Sequence, residues 1–255
     1  MSIPYRELRV DRDGSVVRLT MNRPEKRNAL SARLVGELIA ALREANADRG
    51  TRVVVLTGAG GSFCAGADLS LLSGGDDYDD GFVSPGGFPE LNRTLRRMTT
   101  PVIARVERHA LAGGLALVCN ATFAIAEDTA RFAAPEIDRG LFPMMVLASL
   151  FRTVNRRDGM DIVLTGRSVA APEAARMGLI NQSVPADRLD ETVDALAATL
   201  AEKPPAAMLL GMRAIHDQEA WDFDTALDEL QGRLFEVLQT DDAKAGIAAF
   251  LTKRS

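Results

Sequence analysis

Val53-Val54-Val55-Leu56-Thr57 is a continuous apolar, β-branched run. A strand with one wet face alternates apolar and polar residues. An unbroken run instead predicts a strand buried on both faces, as in a parallel sheet covered by helices. Gly58-Ala59-Gly60-Gly61 ends the run. Residues 16–21, after the Asp13-Gly14 turn signal, also read as a strand. Ser31 reads as the N-cap of a helix over about 32–47, with Leu34, Leu38 and Leu42 on one face. The pattern continues with a helix at 88–98, a strand at 101–106, a short buried helix at 113–118 and a strand near 123–126. Helices at 144–152 and 156–164 and a short strand at 180–184 follow. Such alternation predicts an α/β fold with parallel pairings. Past Pro185 only helical periodicity remains, over about 187–201, 205–217, 221–239 and 241–252. The shift predicts an α/β core over residues 1–195 and a helical subdomain over 196–255. The apolar stripe of that subdomain must be buried on the core or on another subunit.

Composition narrows the function. The chain has 47% hydrophobic and 25% charged residues, ordinary for a globular protein. Its net charge of −5 makes it a poor binder of polyanions, so no nucleic-acid partner is expected. Ten Phe, two Tyr and one Trp are too few for a base-stacking platform. The longest near-apolar run, 111–126, contains Asn120 and Thr122 and is too short to span a bilayer, so no membrane association is expected. The charged first 14 residues lack the apolar stretch of a secretory leader, and a cytoplasmic protein is expected. Cys64 and Cys119 lie in apolar stretches, away from any CxxC or His, and read as buried free thiols. With two His in the chain, a His-based metal cluster is not expected, and His216 reads as a surface residue. Gly58-x-Gly60-x-x-Phe63 lacks the third glycine of a dinucleotide fingerprint. The acidic run 76–81 lacks calcium-loop spacing and reads as a solvated loop.

Two glycine-containing segments carry more. Residues 61–69 (Gly-Ser-Phe-Cys-Ala-Gly-Ala-Asp-Leu) and 109–116 (His-Ala-Leu-Ala-Gly-Gly-Leu-Ala) each follow a strand. Small residues there admit a ligand close to the backbone, and amides at a strand-to-helix turn point outward. Two such amides aimed at one oxygen make an oxyanion hole. Tight packing of a helix on a strand uses the same residues, and spacing alone leaves both readings open.

Four motifs in order, Asn22-Arg23-Pro24-Glu25-Lys26-Arg27-Asn28-Ala29-Leu30, Leu56-Thr57-Gly58 through Ala65-Gly66-Ala67-Asp68-Leu69, Ala110-Leu111-Ala112-Gly113-Gly114 and Phe132-Ala133-Ala134-Pro135-Glu136-Ile137, resemble the crotonase, or enoyl-CoA hydratase/isomerase, superfamily. The resemblance spans the whole chain. It implies a spiral of ββα units followed by a helical trimerisation region, assembled as a homotrimer or a dimer of trimers. It implies an acyl-CoA thioester substrate whose thioester oxygen is held by the amides of Ala67 and Gly113, with Gly66 and Gly114 flanking them. Arg27, Ala65, Asp68 and Leu69 would lie along the CoA moiety, and Phe250 and Lys253 would reach the nucleotide of a neighbouring subunit. Glu136 would be the acid/base. Coenzyme A enters as part of the substrate, and the enolate chemistry requires no metal or redox cofactor.

The sequence departs from that pattern. Family hydratases commonly use a second glutamate, and its place here is Ala116, between apolar neighbours. The first of the usual three glycines is Ala112, an Asn-Gly turn is replaced by Glu107-Arg108, and Gly140-Leu141-Phe142-Pro143-Met144-Met145 is bulky where glycines are usual. One carboxylate suffices for moving a double bond, since a single base can lift a proton from one carbon and return it to another. Hydration needs a second group to hold water, and Glu107 and Asp138 are the candidates. Hydratase and isomerase chemistry both stand at this stage. Acyl-CoA binding with little turnover, and thioester hydrolysis or decarboxylation on the same oxyanion hole, are the alternatives.

Overall fold

A computed structural model describes residues 5–68 and 86–252. The acidic run 76–81, Phe82, Leu69 and Lys253 lie outside the described residues. The chain opens with β1 (Leu8–Asp13), then winds in repeated turns. Each turn lays one strand in a large sheet, one short extended segment in a second sheet, and one helix. The first turn is β2 (Val16–Met21), the residue Leu30 and α1 (Ala32–Ala47); the second is β3 (Val53–Gly58), residues 64–67 and α2 (Gly87–Arg96). The third is β4 (Val102–Val106), β5 (His109–Leu111) and α3 (Gly113–Asn120). The fourth is β6 (Phe123–Glu127), β7 (Arg131–Ala133), a 3-10 turn over Pro135–Arg139 and α4 (Met144–Thr153). There follow α5 (Arg156–Thr165), β8 (Val169–Ala170), α6 (Ala171–Arg176), β9 (Gln182–Val184) and α7 (Leu189–Ala201). The chain ends in α8 (Pro205–Gln218), α9 (Phe223–Leu238) and α10 (Asp241–Thr252).

The large sheet runs β1-β2-β3-β4-β6-β9, parallel except for the β1–β2 pair. All six residues of β3 are buried, as its unbroken apolar run requires. Val54 and Leu56 face a core shared with Leu34, Leu38 and Leu42 of α1. Val53 and Val55 face the opposite side, where Leu189, Val193 and Ala197 of α7 cover Ile103 and Ile125. Ion pairs Arg18–Asp194 (2.9 Å) and Arg105–Asp190 (2.6 Å) tie α7 to the sheet. Ser31 caps α1, its hydroxyl accepting from the Leu34 amide at 2.9 Å. β1 is exposed except at Leu8 and carries four charged residues, a blunted sheet edge that shows no apolar alternation in sequence.

The second sheet is β5-β7-β8, prolonged by the bridges Cys64↔Ala110 and Leu30↔Ala67. Its strands are two or three residues long, too short for a sequence period to register. The helices at the end of the chain start and stop near the expected residues. Among them Met212 is buried in α8, while α9 and α10 have no buried residue. His216 departs from expectation. It is half-buried, and its Nε2 lies 3.0 Å from the Met98 carbonyl oxygen, so it ties α8 to the end of α2 instead of facing solvent. Both cysteines are free and buried, and burial pushes each thiol up to about 12.

Candidate active site

The second sheet gathers the motifs. Cys64 donates to the His109 carbonyl, and Leu111 donates back to Cys64, both at 2.9 Å. β5 lies in parallel register with β7, Leu111 opposite Ala133, and the Ala112 amide donates to the Ala133 carbonyl at 2.8 Å. Three chain segments therefore leave one sheet edge together. They lead to Ala67, to Gly113 at the first position of α3, and to Glu136 in the 3-10 turn.

The loop 22–30 braces the first of these segments. Asn28 is fully buried at positive φ. Its Oδ1 accepts from the Arg23 amide at 2.9 Å, and its Nδ2 donates to the carbonyls of Ala59 (2.9 Å) and Ser62 (2.6 Å). Arg23 is also buried; it donates to the Ala29 carbonyl at 2.6 Å and pairs with Asp68 at 3.0 Å and Glu7 at 3.1 Å. Buried charges persist only when paired and hydrogen-bonded, and this triad meets that condition. Arg23 and Asn28 entered the sequence reading only as members of the first motif, with no role given, because burial of a polar side chain leaves no mark in a polar stretch. Asp68 is buried, and its carboxylate pairs with Arg23. Arg27 is exposed at a φ of 50°, and its carbonyl accepts from the half-buried Ala65 amide at 3.0 Å.

Ala67 is exposed. Leu30 donates to Gly66 at 2.7 Å and accepts from Asp68 at 3.1 Å, so the intervening Ala67 N–H points away from Leu30. Gly113 is the first residue of α3, where an amide has no acceptor within the helix. Among the described residues neither amide has a hydrogen-bond acceptor. They are neighbours: a Cβ placed on Gly66 would lie 3.4 Å from the Gly113 nitrogen. Leu30 and Phe88 pack on the other side of Gly113, 3.0 and 3.2 Å from where its Cβ would be. Gly114 serves packing, because a Cβ there would come within 2.6 Å of the Cys64 carbonyl oxygen.

Glu136 is half-buried, and its Oε2 is buried with no hydrogen-bond partner among the described residues. Desolvation raises its carboxyl above the usual glutamate range, against smaller opposing effects of a backbone hydrogen bond and Arg139. An unpartnered buried carboxylate oxygen has lost water without gaining a donor, and such groups gather at reactive sites. The other two candidate carboxylates differ in setting. Glu107 pairs with Arg105 at 2.8 Å, at the end of β4. Asp138 is exposed and stands over Gly166, where an added Cβ would lie 3.0 Å from its Oδ2. Ala116 is fully buried in the main core. Phe250 is exposed on α10.

The arrangement presents two outward amides and one desolvated carboxylate on neighbouring turns, a set suited to holding an oxyanion and moving a proton beside it. The family model for enoyl-CoA hydratase/isomerase matches residues 11–255. A probable enoyl-CoA hydratase of Rhizobium meliloti is 37% identical over 254 residues, covering 98% of this chain and 96% of the relative. The 2,3-dehydroadipyl-CoA hydratase of Escherichia coli is 34% identical, covering 98% and 97%. The crystal structure of an enoyl-CoA hydratase from Mycobacterium smegmatis superposes with a TM-score of 0.91 at 32% identity, covering 97% of each chain. The chain has the crotonase fold and belongs to the enoyl-CoA hydratase/isomerase family.

Proposed function

We propose that this enzyme isomerises 3-enoyl-CoA to 2-enoyl-CoA, with Glu136 as the single proton carrier and the Ala67 and Gly113 amides as donors to the thioester oxygen. The Glu136 carboxylate takes a proton from C2 of the 3-enoyl thioester. The C–H electrons form the C1–C2 double bond of a dienolate that keeps its C3–C4 double bond, and charge moves to the thioester oxygen; that C1–C2 pair becomes the C2–C3 double bond when the proton returns. The Glu136 carboxylic acid then returns the proton at C4 as the thioester carbonyl re-forms. Atoms and charge balance, and no metal or redox partner enters the route. One preorganised amide donor is worth roughly 3–4 kcal/mol to such a developing charge.

The observation that carries this reading is Glu136 Oε2, buried with no hydrogen-bond partner among the described residues, with Ala116 buried and Glu107 paired with Arg105. Hydration of 2-enoyl-CoA is the second reading, favoured by the hydratase names of the relatives. It requires water to be held by a group other than a second glutamate.

Matched 2-enoyl- and 3-enoyl-CoA substrates of medium chain length separate the two by mass spectrometry. Isomerisation gives 2-enoyl product with no gain in mass. Addition of 18 Da, the mass of one water, to the 2-enoyl substrate in place of isomerisation would overturn the primary reading. As part of the same proposal, α8–α10 join subunits into a trimer or a pair of trimers, with Phe250 and Lys253 of one subunit near the nucleotide of the next. The exposed apolar side chains of α9 and α10 support that assembly.

A further inference from the structure

Arg27, Asn28, Arg108 and Ala112 hold positive φ without being glycine among the described residues. Ala112 is the odd member. Its side chain can make no local hydrogen bond that offsets an unusual backbone, as asparagine's can. Its φ of 50° and ψ of −117° also fall outside the left-handed helical basin, in a region glycine normally fills. Such a conformation persists only where the surroundings over-determine it. Here the Leu111 amide is held by Cys64 at 2.9 Å, the Ala112 amide by Ala133 at 2.8 Å, and the Ala112 carbonyl by the Ala116 amide at 3.3 Å.

The methyl group has a definite seat. Gly66 sits at a φ of 100°, and a Cβ built on it would lie only 2.6 Å from the Ala112 Cβ. The Ala112 methyl thus fills the space that the absent Gly66 side chain leaves. It lies between the peptide that carries the Ala67 N–H and the turn that carries the Gly113 N–H. We propose that Ala112 is a positioning residue: its methyl, wedged against Gly66, fixes the spacing of the two amides that receive the thioester oxygen. The proposal rests on the reading of those amides given above. It makes the strained backbone a device for aiming donors, since a donor misplaced by a fraction of an ångström loses much of its value to a developing charge.

The test is isotope-edited infrared spectroscopy of a bound, non-reacting saturated acyl-CoA labelled at the thioester carbonyl, with steady-state kinetics alongside. In the wild type the carbonyl band lies below its position in free ligand. In Ala112→Gly the band moves back toward the free position, kcat falls by about three- to tenfold and KM stays within about twofold. The folding midpoint does not fall, because glycine relieves the backbone. In Gly66→Ala the new methyl meets that of Ala112, and band and kcat change further. Adding Ala112→Gly to that variant restores part of both. If Gly66→Ala fails to fold, the single glycine variant still decides. An Ala112→Gly protein with the wild-type band and wild-type kcat overturns the proposal, and so does one that loses activity only in step with lost stability. A wild-type band at the free position overturns the two-amide reading itself, and this proposal with it.

Discussion

Glu136 and Arg23 show how burial assigns opposite tasks to charged residues of neighbouring motifs. Arg23 is buried with partners on every side, while the buried oxygen of Glu136 has none. Desolvation raises the Glu136 carboxyl, so the base form appears only above the usual glutamate range of about 4. The acid limb of kcat/KM is therefore expected above that range, and Glu136→Gln removes about 10²–10⁴-fold of turnover while acyl-CoA still binds. Linkage gives an independent check. A raised folded-state value means that ionising Glu136 opposes folding. Wild type is expected to lose stability relative to Glu136→Gln as pH rises from the ordinary glutamate range through the raised value, and the difference becomes constant at lower pH. Denaturant midpoints across pH read this directly, and an ordinary acid limb with parallel stability curves would exclude the desolvated base. Arg23→Ala removes the buried cation that pairs with Asp68 and Glu7 and should cost about 3–5 kcal/mol. Equilibrium urea unfolding measures that cost.

At the scale of elements, the site depends on how closely the turns after the strands are drawn together. The turn after β3 has no room for a side chain at Gly58. A Cβ there would lie 2.1 Å from the Ser62 carbonyl oxygen and 2.6 Å from Asn28 Nδ2. Gly58→Ala must push the 59–63 loop off Asn28, with an expected loss of about 3 kcal/mol in chemical denaturation. The same displacement carries residues 64–67 away from β5, so activity should fall further than stability alone dictates. β3 and α1 were legible from sequence because each has a strong period: a run buried on both faces, and leucines at four-residue spacing. β5, β7 and β8 were not. They pair through two or three residues whose burial is set by the neighbouring turn of the spiral, which is a tertiary property.

Across the whole molecule, burial is uneven. The α/β spiral closes two cores, one on each side of β3, whereas α9 and α10 leave Phe223, Leu227, Leu234, Phe235, Phe250 and Leu251 each more than half exposed. A contiguous apolar helical face of this kind is unfavourable in water unless another surface covers it. Where the proposed assembly forms through this face, Leu234→Asp combined with Phe235→Asp gives single chains in analytical ultracentrifugation. An assembly that survives both substitutions would place the interface elsewhere.

Sequence alone carried the α/β class, the order of the longer strands and helices, the doubly buried β3, the helical tail and the motifs that identify the family, because these follow from periodicity and local chemistry. It marked Glu136 and the two amide-bearing turns, and it showed the loss of a second glutamate at Ala116. Packing of distant segments settled which polar groups work on the fold. It drew Asp68 inside to Arg23, engaged Glu107 with Arg105, set His216 against Met98 and left the buried oxygen of Glu136 unpartnered. It also put the Ala112 methyl against Gly66. A residue's type fixes what it can bond to, but its bonds depend on which distant segment packs beside it, and that distance is settled by the closing of the spiral.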